Sequence, residues 1–241
     1  MAERVFKRVL LKLSGELLAG PSGYGIDTGA AAAVVERVRE ALDLGVQVGV
    51  VVGAGNLFRG QAASGRGLER CTADAVGMLG TVMNALTLRA AFEAQGVAAE
   101  VQSAIGMTGI VEAFDHRRAN AWLDRGRPVL FAGGTGHPYF TTDTTAALRA
   151  CQIGAAAILK GTKVDGIYAE DPHLNPRAER FARLSHREAL TRQLGVMDAT
   201  AFSLCLENRI PILVFRFGAP GEISRLLQGD FSSATLVDAG A

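Results

Sequence analysis

The chain has 241 residues, 49% hydrophobic and 20% charged, with a formal net charge of +1. That length and apolar share fill a core and exclude a disordered chain. The near-zero charge gives no global field toward nucleic acid or an anionic membrane, so any phosphate must be held by a local site.

In chain order, Met1–Arg8 carries charges with no long apolar stretch or cleavage site behind it, so no signal peptide is expected. Val9–Leu13 reads as a strand ending at Ser14-Gly15. Thr28–Leu44 has helical periodicity, with Asp27 or Thr28 as cap and Gly45 as stop. Val46–Val52 is a second strand, apolar on both faces. A long helix over about 72–95 ends at Gly96, followed by a strand over Val97–Ser103 and a helix over 115–125. Pro128 starts a strand that ends at Ala132, proline taking its allowed first position. A helix over 142–153 leads to a strand over Ala155–Lys160. Helices near 185–194 and 198–208, a strand over 211–215, a helix near 220–228 and a strand over 234–237 complete the pattern.

Alternating helices and doubly apolar strands predict an α/β fold, a single αβα sandwich over 1–241 with a mainly parallel central sheet. The apolar runs are too short to span a bilayer, which points to the cytoplasm with no membrane partner. Cys71, Cys151 and Cys205 lack CxxC spacing and read as buried small hydrophobes in a reducing compartment. His116, His137, His173 and His186 lack metal-ligand spacing, so no structural zinc site is expected, and no protein side chain is assigned as a metal ligand.

Open α/β sheets bind ligands beyond the carboxyl ends of their strands. Glycine-rich segments follow three strands there: Lys12-Leu13-Ser14-Gly15, Gly53-Ala54-Gly55-Asn56 and Gly133-Gly134-Thr135-Gly136. Such turns let backbone N–H groups approach an anion, and three at one edge favour a polyphosphate or two phosphorylated ligands. No Gly-Lys dipeptide, GxGxxG or GxSxG occurs, which argues against a Walker A loop, an ordinary dinucleotide fold and an α/β-hydrolase. The 25 Lys and Arg residues include only Lys7, Lys12, Lys160 and Lys163 as lysines, which singles out Lys12 and Lys160 as compact charges for phosphate. Arg59, after the second glycine segment, suits bidentate phosphate contact. Asp74, Asp143 and Asp198 stand where helix caps are common, and each alone reads as a cap.

The segments Leu11–Glu16, Gly55–Gly60, Met78–Asn84, Phe140–Asp143, Lys163–Gly166 and Val196–Asp198 resemble bacterial uridylate kinase of the amino acid kinase superfamily, in matching order from about Lys7 onward. The resemblance implies that Lys12, Leu13, Ser14, Gly15, Gly55 and Arg59 contact ATP phosphates, and that Thr162, Tyr168 and Asp171 line the rest of the ATP site. Ala54, Asp74 and the loop Thr135-Gly136-His137-Pro138-Tyr139-Phe140-Thr141-Thr142 would hold UMP. It further implies Mg-ATP as donor and direct in-line transfer to UMP, with Lys12 and Lys160 balancing the moving charge and Asp143 holding both lysines. Inhibition by UTP, activation by GTP with Gly20-Pro21-Ser22-Gly23-Tyr24-Gly25 in the response, and a homohexamer also follow from the resemblance. Two departures touch the acceptor side: Ala54 replaces an expected glycine, and His137-Pro138-Tyr139-Phe140 an Asn-Pro-Phe-Phe type of loop. A sibling kinase forming an acyl phosphate on a carboxylate or carbamate, and a non-catalytic nucleotide sensor, are the rival readings.

Overall fold

The computed structural model describes residues 4–58, 67–170, 172, 174–175 and 177–240. Among the described residues nine strands form one sheet in the order β4-β3-β5-β2-β1-β6-β8-β9-β7. They are β1 (Arg8–Leu13), β2 (Gln47–Val52), β3 (Glu100–Ser103), β4 (Glu112–Ala113), β5 (Val129–Ala132), β6 (Ala157–Thr162), β7 (Arg183–Ser185), β8 (Ile212–Arg216) and β9 (Ala234–Asp238). Pairing is parallel except between β8 and β9. The helices are α1 (Thr28–Asp43), α2 (Arg70–Ala94), α3 (His116–Asp124), α4 (Thr142–Ile153), α5 (His186–Thr191), α6 (Ala199–Asn208) and α7 (Glu222–Leu227).

The expected mainly parallel α/β sandwich is present, with corrections at its margins. β4 and β7 are short strands with no counterpart in the sequence reading, and a 3-10 turn over Gly15–Leu18 follows β1 directly. The third strand begins at Glu100, not Val97, and α5 ends at Thr191, not Leu194. β6 runs two residues further than expected, to Thr162, so Lys160 lies within the strand and not at its end. Cys205 is buried as expected, whereas Cys71 and Cys151 are only half-buried.

Side chains alternate across a strand, and each face feeds its own core. Val9, Leu11 and Leu13 of β1 pack with α1, α2 and α7, while Leu10 packs with Phe131 and the apolar sides of α3, α4 and α6. Lys12 shares the parity of Leu10. Lys160 shares that of Ile158, which lies in the same core as Leu10. The register pairs Lys12 with Lys160 across β1 and β6. Both ammonium groups are thereby sent to the face that α4 covers.

α2 is long and apolar enough to cross a bilayer by length and hydropathy alone. It lies instead along the sheet, burying Val82, Ala85, Leu88 and Phe92, and its inward face carries the hydrogen-bonded side chains of Thr81 and Asn84. Its inner face thus packs on the core, while Val76, Leu79 and Met83 stay exposed.

α4 also carries a cation without a countercharge. Arg149 is 4% exposed, and its guanidinium lies 3.7 Å from the Phe114 ring centroid. It donates from Nη1 to Gln152 Oε1 at 2.6 Å, while Nε is buried without a partner. Burial pulls its pKa down to about 10. Among the described residues no carboxylate pairs with it. Gln152→Glu places one on the next turn and is expected to stabilise the fold by about 1 kcal/mol, a rise in Tm of about 2–4 °C by calorimetry. An unchanged or lower Tm would show that stacking on Phe114 already satisfies the guanidinium.

Candidate active site

The neighbouring strands β5, β2, β1 and β6 run parallel, so the segments after them meet along one edge. At its centre the Asp143 carboxylate sits between two lysines. Lys12 Nζ lies 2.8 Å from Oδ1 and Lys160 Nζ 2.7 Å from Oδ2. The Lys160 contact is an aligned hydrogen bond, whereas Oδ1 has no aligned donor and meets Lys12 as an ion pair. Burial alone would push the Asp143 carboxyl up, but the two lysines outweigh it and hold the pKa below the usual range. Burial pulls the Lys160 pKa down to about 8 and Lys12 adds to this, with Asp143 opposing both. Two ammonium groups against one carboxylate leave the cluster a net positive charge facing the glycine turns.

The cap reading fails for two of the three acids. α4 is capped by Thr141, whose hydroxyl accepts from the N–H groups of Asp143 and Thr144, so the Asp143 carboxylate is free for the lysines. α2 starts at Arg70 with Glu69 as its cap, which puts Asp74 one turn inside the helix. Asp198 does cap α6, through Ala201 N at 2.8 Å. It also accepts from Thr144 Oγ1 at 2.8 Å and from Thr141 Oγ1, which pins the start of α4.

On the β2–β5 side, Ala54, Gly55, Asp74, Phe140, Thr141 and Thr142 line a cavity of about 770 Å³, together with Arg70 and Met78. Asp74 Oδ2 accepts from Arg70 Nε at 2.7 Å and from Tyr139 N at 2.8 Å, tying the 135–142 loop to α2. Tyr139 takes a left-handed backbone (φ 70°), and its exposed ring lies over the Arg70 guanidinium. Thr135 and His137 line a neighbouring cavity of about 510 Å³, which Phe140 borders as well. Ala54 needs no left-handed conformation. Its methyl is accommodated by Gly80 of α2, where an added Cβ would stand 2.9 Å from that of Ala54.

On the β6 side lie Thr162, whose hydroxyl accepts from Val164 N at 3.2 Å, and Tyr168, whose hydroxyl donates to Asp165 Oδ1 at 2.7 Å. Lys163 reaches Glu16 at 2.7 Å and stays apart from the Asp143 cluster. The Leu13 side chain is buried in the core, leaving only its backbone to face a ligand, and Ser14 Oγ accepts from Glu16 N. Arg59 and Asp171 lie outside the described residues. The segment Gly20–Gly25 includes a 3-10 turn over Gly20–Ser22, and Gly25 N donates to Asn56 O at 2.9 Å. Sequence reasoning missed the carbonyl of Val196, which accepts from Lys160, and the bonding of Asp198 to Thr141 and Thr144. A backbone carbonyl leaves no mark on residue type, so only the run Val196–Asp198 signalled the first.

The family model described as "Amino acid kinase family" matches residues 7–216. The chain belongs to the amino acid kinase family. It is 51% identical over 224 residues to a uridylate kinase of Brucella anthropi, covering 93% of each chain. Its fold is similar to a crystal structure of UMP kinase from Bacillus anthracis, with a TM-score of 0.93 at 34% identity, covering 99% of this chain and 98% of the other. A crystal structure of UMP kinase from Ureaplasma parvum gives 0.89 at 35% identity over 96% and 98%. The β1 and β6 lysines and the α4 aspartate form one ion-paired cluster, with the cavity of Ala54, Asp74 and Phe140 on its β2–β5 side.

Proposed function

We propose that this family member transfers the γ-phosphoryl group of ATP to UMP, giving ADP and UDP. The observation that carries the reading is the position of the Lys12–Asp143–Lys160 cluster between the Asp74 cavity and the turn after β6. ATP lies along the turns at Gly15 and Gly55, with Thr162 and Tyr168 on its nucleoside side and Arg59 and Asp171 completing the site. UMP occupies the cavity of Ala54, Asp74 and Phe140–Thr142, its phosphate toward Lys12. The acceptor oxygen is already anionic, so no general base is required, and catalysis is positioning plus charge neutralisation. Asp143 fixes both ammonium groups where charge develops on the moving phosphoryl.

Mg²⁺ would come bound to ATP and would screen its phosphates. Asp143 is committed to two lysines, and among the described residues no group of three or more His, Cys, Asp or Glu side chains converges. A Mg²⁺ ion bound with ATP would take its ligands from phosphate and water. UTP shares base, ribose and α-phosphate with UMP and inhibits by filling the same cavity. GTP activates with the Gly20–Gly25 segment in the response, and the enzyme works as a cytoplasmic homohexamer of single-domain chains in pyrimidine nucleotide synthesis.

Asp74 decides acceptor choice. Both of its described contacts fall on Oδ2, and the carboxylate accepts from the ribose hydroxyls of UMP. A site built to pair with a hydroxyl is left with an unpaired polar group by the analogue that lacks it. UMP is therefore expected to exceed dUMP by well over tenfold in kcat/KM, with CMP also poor, and Asp74→Asn to narrow the UMP/dUMP gap. Equal turnover of UMP and dUMP by the unaltered enzyme would remove Asp74 from the acceptor site.

A further inference from the structure

Two asparagines of the segments that carry the family resemblance have no part in the site described above. Asn56 follows the glycine turn after β2, Asn84 lies on the inner face of α2, and both are 0% exposed. Their amides bond reciprocally, Asn56 Nδ2 to Asn84 Oδ1 at 3.0 Å and Asn84 Nδ2 to Asn56 Oδ1 at 2.8 Å. Each has a second proton to place. Asn56 Nδ2 donates to Gly25 O at 2.7 Å, and Asn84 Nδ2 to Gly53 O at 2.8 Å. Carbonyl oxygens accept only, so both amide orientations are fixed. The turn at Gly15 presses on the same pair: a Cβ there would stand 2.5 Å from Asn56 Oδ1.

From this arrangement we infer that the Asn56–Asn84 pair is a positioning device for the nucleotide-binding turns. It sets the height of the Gly53–Gly55 turn against Gly15, and it holds the Gly25 end of the preceding loop to that turn. Asn56 and Gly25 are joined twice, by the side-chain bond and by Gly25 N to Asn56 O. Three residues earlier on α2, Thr81 accepts from Gly133 N at 2.8 Å and grips the glycine segment on the acceptor side. One helix thus holds two turns through separate side chains. The pair touches no reacting atom; it acts through the backbone of Gly53–Gly55, where ATP and UMP contacts meet. The inference rests on the nucleotide-binding reading of those turns.

The test compares Asn84→Ala with Thr81→Val in the full-length protein, by amide hydrogen exchange, binding of a non-hydrolysable ATP analogue, and steady-state kinetics. Asn84→Ala leaves Gly53 O and Asn56 Oδ1 without their donor and is expected to speed exchange at Gly25 and over Gly53–Leu57 by about tenfold or more. The ATP analogue should bind about tenfold more weakly, with KM for ATP raised to match and kcat kept within about threefold, since the lysine cluster is untouched. Thr81→Val should leave Gly25 exchange unchanged and raise KM for UMP only. Asn84→Ser, which keeps one donor, should fall between wild type and Asn84→Ala, and it carries the test should the alanine variant not fold. Unchanged Gly25 exchange with unchanged analogue affinity would overturn the inference, as would the same loss of kcat and both affinities in the Asn84 and Thr81 variants. Exchange and analogue binding do not depend on UMP being the acceptor, so failure of that assignment would leave this result readable.

Discussion

Asp143→Asn is expected to lower kcat at least a hundredfold while changing the affinities for ATP and UMP by less than about tenfold. Were Asp143 a helix cap, asparagine would serve nearly as well and the change would be close to silent. Thr141 holds that position instead, and the Asp143 carboxylate lies 2.8 Å and 2.7 Å from two ammonium groups. Asparagine keeps the shape and loses the charge. Lys12 and Lys160 then repel each other with nothing between them, and both move from where the transferring phosphoryl needs them. Loss of one preorganised contact costs about 10²–10³ in kcat, and here two are loosened. Buried cations without their partner also lower stability, so Tm should fall while the variant remains folded at 25 °C. A folded Asp143→Asn enzyme turning over at near wild-type rate would return the residue to a structural role.

Lys160 should govern the alkaline limb of activity. Burial, reinforced by Lys12 and opposed by Asp143, brings its pKa to about 8. Below that value the ammonium is charged and neutralises the phosphoryl; above it the charge is lost. kcat/KM, which reports the free enzyme, should therefore fall about tenfold per pH unit above the Lys160 pKa of about 8. Bound phosphates favour the charged form, so the limb in kcat should lie at higher pH. Lys160→Met should lose about 10²–10³ in kcat and lack this limb. The same group acts on stability with the opposite sign. Its pKa is lower folded than unfolded, so between about 8 and 10.4 the unfolded chain binds the proton that the native one has shed. Its contribution to the free energy of unfolding thus rises with pH in that window, and an alkaline loss of activity cannot be ascribed to Lys160 unfolding the protein. An alkaline limb that persists in Lys160→Met would reassign the titration.

Much of this centre is legible in residue order, because the sheet edge is announced by glycine turns after apolar runs. Val46–Val52 is apolar at both parities and becomes β2, buried on both faces. Lys12 ahead of Ser14-Gly15 was readable as a strand-end cation. The facing of Lys12 and Lys160 was not, since Gly161-Thr162 reads as a turn while the chain continues there as strand, packed against Phe217. Two-residue β4 and three-residue β7 are too short to show a period. The acids misled because Asp at a helix start has one local signal and two uses: Thr141 and Glu69 took the capping positions, freeing Asp143 and Asp74. The Ala54 departure was explained only by its spatial partner Gly80, 26 residues away along the chain.

The most direct measurement is the rate of ADP release with Mg-ATP and, in turn, UMP, CMP, dUMP, aspartate, glutamate and carbamate, with the product identified by ³¹P NMR. The account predicts ADP and UDP in equal amounts with UMP, at least tenfold lower kcat/KM with dUMP and CMP, and no release above background with the other three. Formation of an acyl phosphate from aspartate, glutamate or carbamate with none of UDP from UMP, or no release with any acceptor, would contradict it.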